Sequence, residues 1–267
     1  SNCRFNFMTK YTCRLISVVL FSVLLNNLQA QESDWVSDSL SFYKQKLDAA
    51  ILAEDFEELE GIYKTLYNEG SRSLHPDIYD RFYRDLRNPK VRQNAKLLAY
   101  MYNDLGNMEY YRSRFDAAKQ AFVNAMEQYQ IADLKTDAAG MAMNLGVILE
   151  RGMKYDSAIL NYEKAILIFI EMKDTTSIAN CYENISLSHS YKGDLAASMK
   201  YLNMADSVLR SNTPRTDPRW TSLYYNKSRL YALLGENDKA MEFAFDGLRL
   251  SETLDNDRLI NTGYMML

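Results

Sequence analysis

Apolar residues recur at helical spacing from Thr136 to Phe169, TDAAGMAMNLGVILERGMKYDSAILNYEKAILIF, and the stretch reads as two amphipathic helices folded back on each other. The first carries the step Asn144-Leu145-Gly146; twelve residues past the glycine comes Ala158, followed by Tyr162 and Ala165. Small residues at 146, 158 and 165 let two helix axes approach closely, while Leu145, Tyr155 and Tyr162 fill the space between them. One such hairpin leaves an apolar face bare, so it needs stacked copies of itself.

The copies are present. About 40 residues earlier the slots hold Leu105-Gly106, Ala118, Phe122 and Ala125, and about 40 later Ile185-Ser186, Ser198, Leu202 and Ala205. A weaker copy follows with Lys227-Ser228, Ala240, Ala244 and Gly247. Gly193-Asp194 and Gly235-Glu236 take the turn position held earlier by Ser113-Arg114 and Met153-Lys154, and Tyr102, Ala142, Tyr182 and Tyr224 share a bulky slot. This pattern resembles the tetratricopeptide repeat (TPR), whose motif runs from a bulky residue through Leu-Gly to an aromatic, Ala, an aromatic and Ala, with a usual period of about 34 residues. The longer period here resembles the long-helix variant of bacterial peptide-sensing and scaffold proteins. The resemblance implies an all-α fold, a right-handed α-solenoid of antiparallel helix pairs forming a TPR-like superhelix.

First helices are expected at about 90–111, 137–152, 176–191 and 218–234, and second helices at about 114–131, 155–172, 195–210 and 237–254, so that four repeats fill 90–256. Residues 31–89 read as N-terminal capping helices. Their hairpin over 37–68 has a capping box at Asp55 and Glu58 and an apolar stripe of Phe56, Leu59, Tyr63 and Leu66. The acidic run Glu54–Glu60 reads as a solvated first turn rather than a cation site. A short helix opens at Pro76, with Ile78, Phe82 and Leu86 on one face, and Pro89 is expected to start the next one. The connection SNTPRTDPR, with two prolines, is the most exposed loop. Residues 257–267 begin a further repeat and stop on Tyr264, Met265, Met266 and Leu267 inside its first helix. The natural polypeptide is therefore expected to continue, or this helix face to meet a partner or a second copy.

The first thirty residues lie outside this pattern. Lys10 and Arg14 precede the apolar run Leu15–Leu25, and NNLQA leads to a small residue at Ala30. This reads as a signal peptide over 1–30, with Met8 expected as its start and residues 1–7 upstream; the run is too short to span a bilayer, which takes about twenty apolar residues. Export to the periplasm follows as an expectation. Cleavage removes Cys3 and Cys13, leaving Cys181 without a disulfide partner and no lipid-acceptor cysteine. Cys181 shares its slot with Met101, Met141 and Leu223, so it reads as a packing thiol.

Composition agrees with a folded helical chain: 267 residues, 47% hydrophobic and 25% charged, with only 4 prolines and 10 glycines. The chain has 31 basic and 35 acidic residues; losing the leader's Arg4, Lys10 and Arg14 leaves 28 basic residues and a net charge of −7. That disfavours nucleic acid or an anionic membrane as a partner of this segment, and contact with a membrane is expected only through a region beyond Leu267. Catalytic chemistry is not apparent. His75 reads as a loop residue and His189 as an interhelical one, and no metal spacing, phosphate loop, nucleophile elbow or Cys/His pair stands out. The chain is read as no enzyme, with no metal and no cofactor.

The groove is left. In tetratricopeptide proteins the first helices line the concave face, and in some an asparagine just before Leu-Gly forms a ladder that holds the backbone of an extended peptide. By that resemblance the ladder is Asp104, Asn144, Asn184 and Asn226, with Asp104 able only to accept. Neighbouring slots hold Asn103, Met143, Glu183 and Tyr225, then Asn107, Val147, Leu187 and Arg229, while Tyr110, Tyr111, Arg151 and Tyr191 offer aromatic and charged contacts. The alternative is that the asparagines bond only the adjacent helix. For the whole chain the resemblance implies an exported, non-catalytic domain binding peptide or protein, the sensory part of a membrane-bound signalling or transcription regulator. The alternative function is a free periplasmic scaffold or a glycan-binding protein using its 20 tyrosines.

Overall fold

The computed structural model describes residues 44–70 and 76–266. The expected leader, the start of the capping hairpin, His75 and Leu267 lie outside the described residues. Contacts divide the chain into two compact units, Ser1–Leu97 and Leu98–Leu267, and all regular structure among the described residues is helical.

In the first unit, α1 (44–53) is followed by α2 (Phe56–Gly70) and α3 (Pro76–Asp85). Asp55 accepts a hydrogen bond from the Glu58 N–H at 3.0 Å, one half of the expected capping box. Leu47, Ala50, Leu59, Ile62, Tyr63, Phe82 and Leu86 are buried, and Tyr63 meets Phe82 edge to face with ring centroids 4.9 Å apart. The Tyr63 hydroxyl donates to Asp85, and burial, reinforced by that carboxylate, pushes the phenol well above its ordinary pKa, so it stays a donor. Arg81 donates to Asp85 at 2.7 Å and to Asp48 at 2.8 Å, so both buried charges are paired. The next helix begins five residues later than expected. Val91–Gln93 forms one 3-10 turn, and Asn94 then takes an extended conformation and accepts the Leu97 N–H at 2.8 Å, capping α4 (Ala95–Tyr111).

From there the elements are α5 (Phe115–Ile131), α6 (Lys135–Arg151), α7 (Tyr155–Glu171), α8 (Thr175–Tyr191), α9 (Leu195–Asn212), α10 (Arg219–Leu233), α11 (Asn237–Thr253) and α12 (Asp257–Met266). These are antiparallel helix pairs, each packed on the next, in the order the periodicity predicts. One turn geometry joins most of them. Ser113, Asp133, Met153, Lys173 and Gly193 recur every twenty residues, all at φ between 55° and 82°, and Gly235 and Asp255 repeat the conformation further on. At each, the residue after the left-handed one donates its N–H five residues back, as Arg114 does to Glu109, Lys154 to Leu149 and Asp194 to His189. The left-handed residue itself donates three back, as Met153 does to Glu150 at 2.8 Å. This is the Schellman closure, which satisfies carbonyls that a helix end otherwise leaves unpaired.

The small-residue slots hold the pairs together. A Cβ on Gly106 would lie 2.5 Å from the Phe122 ring, and one on Gly146 would lie 2.4 Å from the ring of Tyr162. In the third repeat Leu202 replaces the aromatic, and the glycine slot holds Ser186, whose hydroxyl donates to the Ser198 carbonyl at 2.8 Å. In the fourth, the close approach moves to Gly247, where a Cβ would lie 2.4 Å from the ring of Tyr225. A larger residue on one helix goes with a smaller one on the other, as close packing requires. Cys181 is fully buried and its thiol is pushed up to about 12, chiefly by burial, so it packs rather than reacts. His189 stacks on Tyr201, ring centroids 5.4 Å apart, with Asp194 beside it. Between α9 and α10 a buried ion pair joins Lys227 to Asp206 at 2.6 Å, and Arg210 closes on the same carboxylate at 2.8 Å.

Candidate functional site

The first helices α6, α8 and α10, with α12 at the end, line an open cavity of about 480 Å³. Five expected groove residues meet there: Glu183, Asn184, Tyr225, Asn226 and Arg229. Met143 and Leu187 line it too, from slots next to the asparagines. Asn180 and Ser222 were not expected; each lies one helical turn before Asn184 or Asn226 and so shares its face. Leu259, Thr262 and Met266 come from α12. Carrying the period of about 40 one step further puts Thr262 in the slot of Ser222 and Met266 in the slot of Asn226, a signal the sequence held.

The asparagines differ in what holds them. Asn144, Asn180 and Asn184 make no side-chain hydrogen bond among the described residues and are half-buried, so their amides are free to donate and accept. Asn226 is engaged. Its Nδ2 donates to Glu183 Oε2 at 2.5 Å, and its Oδ1 accepts from Arg229 Nη2 at 2.9 Å. Asp104 and Asn107 are half-buried on α4, outside the cavity, and Asp104 has a partner of its own.

Burial pushes the Glu183 carboxyl up to about 7, only partly offset by the Asn226 hydrogen bond. Glu150 of α6 is also raised, by burial above all, against the hydrogen bond it accepts from Ser188 and the charge on Arg229. Tyr225 is fixed by two contacts: its hydroxyl donates to the Leu259 carbonyl at 2.9 Å and lies 3.0 Å from the Ser251 hydroxyl.

Tyr111, Arg151 and Tyr191 sit apart from the cavity, at the C-terminal ends of α4, α6 and α8. Tyr111 is 64% and Tyr191 54% exposed. Arg151 Nε donates to the Tyr110 hydroxyl at 3.1 Å, bridging two repeats, and Tyr191 lies against the Tyr155 ring. Among the described residues no group of His, Cys, Asp and Glu is arranged to hold a metal, and no helix is long and apolar enough to cross a membrane.

The model of the family described as soluble NSF attachment protein, SNAP, matches residues 92–240, more than half of the chain. The chain belongs to the SNAP family. Its match covers α4 to α10 and therefore most of the groove. Among solved structures, this SNAP-family chain is similar to BtubC (BKLC) from P. vanneervenii, with 18% identity and a TM-score of 0.57 over 85% of this chain and 91% of that one. It is similar to aspartyl phosphate phosphatase F from Bacillus subtilis, with 14% identity and a TM-score of 0.68 over 85% of this chain and 58% of that one. It is also similar to the Rap conjugation gene regulator of the plasmid pLS20, solved in complex with the Phr* peptide, with 17% identity and a TM-score of 0.58 over 82% and 55%. The chain thus spans little more than half the length of these last two. At such identities the likeness is one of fold: an all-helical repeat architecture. No curated protein matches the sequence.

Proposed function

We propose that this SNAP-family chain is a non-catalytic binding domain that holds an extended peptide, or an extended segment of a protein, along its first helices. The observation that carries the reading is the pair of unengaged amides, Asn180 and Asn184, opening on a cavity of about 480 Å³, with the unengaged Asn144 one repeat earlier outside its lining. An amide offers a donor and an acceptor to a peptide unit without reading its side chain. The pLS20 regulator, of the same fold, was solved with a peptide bound, which supports the reading by analogy. With the expected leader over 1–30, the proposal places the domain outside the cytoplasm, as the ligand-sensing part of a membrane-bound signalling or transcription regulator. The exposed Tyr264 and Met265 of α12 are where it places self-association.

The test is binding of the full chain to a random peptide library and a glycan panel, with Asn144→Ala/Asn184→Ala as the comparison. Peptide binding by the native chain that drops at least tenfold in the double variant is expected, each lost hydrogen bond being worth about 1 kcal/mol. Peptide binding that the double variant retains in full removes the ladder. Binding of glycans alone moves the function to the exposed tyrosines of the alternative reading, Tyr111 and Tyr191.

A further inference from the structure

A column of amides does not account for Glu183. Its side chain is 93% buried, by a relative exposure of 7%, in the wall of the cavity. Its one hydrogen-bond partner among the described residues is a neutral amide on Oε2, and Oε1 has none. A carboxyl group removed from water is costly to ionise unless a cation or several donors meet it. The cation that shares the cavity does not: Arg229 spends its hydrogen bond on Asn226 Oδ1, so the amide stands between the two charges. The positive charge of Arg229 also acts on Glu150 of α6. Among the described residues, Glu183 is the one carboxyl group and Arg229 the one cation lining the cavity. Tyr225 of α10, with its phenol raised by burial, remains a neutral donor, and α12 contributes Leu259, Thr262 and Met266. Glu150 lies outside the cavity lining and is met by the charge of Arg151 as well as that of Arg229, so within the cavity Glu183 faces one cation that is bonded elsewhere.

We propose that the cavity takes a cationic side chain, Lys or Arg, of the bound peptide, its ammonium or guanidinium donating to the free oxygen of Glu183 while its aliphatic stem lies against Met143 and Leu187. The inference rests on the peptide reading above and names what the peptide must carry. The volume lies within the range of about 300–1,000 Å³ usual for small-ligand sites. A long aliphatic stem ending in a charge suits a site with apolar walls and a buried acceptor. The ligand's cation supplies the partner that Glu183 lacks, which favours the ionised carboxylate. Binding therefore strengthens as the pH rises through the point at which Glu183 ionises, about 7 in the free protein, and weakens in acid, where the carboxyl must first give up its proton.

The probe is a set of acetylated, amidated heptapeptide pools that differ at one fixed position, which holds Arg, Lys, citrulline or norleucine. Binding of the full chain is measured at pH 8 and pH 5.5, for the native sequence, Glu183→Gln and Asn144→Ala/Asn184→Ala. At pH 8 the Arg and Lys pools are expected to bind native protein about tenfold or more tightly than the citrulline and norleucine pools, as a charge-assisted contact implies. That advantage shrinks several-fold at pH 5.5. Glu183→Gln loses the advantage at both pH values. Equal binding of Arg and citrulline pools by the native chain overturns the inference, and that comparison needs no variant to fold. A cation preference that persists in Glu183→Gln overturns it too. In either case pools still bind, so the peptide reading stands. If no pool binds at any pH, the peptide reading falls and takes the inference with it.

Discussion

Gly146 is small because Tyr162 occupies the space where its side chain would be. A methyl group there would sit 2.4 Å from an aromatic ring whose own exposure is zero, so neither side has slack. Gly146→Ala is expected to cost about 1–3 kcal/mol, the usual price of overpacking, read as a lower urea midpoint with an unchanged slope. Adding Tyr162→Leu to the same chain should recover part of that loss, because the third repeat already pairs Ser186 with Leu202. The two changes should therefore be non-additive. At this scale the sequence was a good guide wherever a slot repeats: the Leu-Gly step, the buried Cys181 and the meeting of Glu183, Asn184, Tyr225, Asn226 and Arg229 all follow from the period. The engagement of Asn226 was out of reach. It depends on rotamers of Glu183 and Arg229, which come from two helices and vary from repeat to repeat at those slots. Nor does the period distinguish a groove wall from a helix end, which is why Tyr111, Arg151 and Tyr191 were grouped with residues they do not join.

At the scale of the element, the turns set the length of each helix. Five consecutive helices, α4 to α8, are 17 residues long, and each is followed two residues past its end by a residue in the left-handed region. Glycine takes that conformation freely, but among the described residues only Gly193 and Gly235 use it; Met153 sits at φ 55° and Lys173 at φ 57°. A side chain there costs about 1 kcal/mol. Met153→Gly and Lys173→Gly are each expected to raise stability by about that amount, seen as a higher thermal midpoint with the helical signal unchanged. Two glycines at the repeat period hinted at this geometry, whereas Ser113, Asp133, Met153 and Lys173 share no side-chain property that would announce it. Helix placement was legible to within two or three residues through most of the repeats. The start of α4 was not, because a 3-10 turn and the Asn94 cap intervene where Pro89 seemed to open a helix.

For the molecule as a whole, two buried acids bend stability against pH in opposite senses. Glu183 titrates at about 7 in the folded chain against an ordinary 4.5. The folded state therefore holds its proton longer, and the stability this represents is complete below the ordinary value and lost as the pH rises through about 7. Glu183→Gln has no proton to lose. It should exceed the native chain at pH 8 by something on the order of 2–3 kcal/mol and match it near pH 4, as denaturation at the two pH values will show. Asp206 behaves the other way. Burial alone would raise its carboxyl, but hydrogen bonds from Lys227 and Arg210 outweigh that and hold it below the ordinary aspartate range. Its contribution is present above that range and fades as the pH falls through the lowered value.

The even spacing of the left-handed turns also limits how such a chain can grow. Turns at 113, 133, 153, 173 and 193 mark off modules of one helix and one turn, used alternately to line the groove and to back it. Parity is therefore built into the chain. Adding or deleting a single module would assign every later groove position to a helix whose sequence was written for the outside, while a change of two modules, such as 135–174, leaves each later helix in its role. Its length is quantised in pairs, and the reach of its groove changes in the same steps.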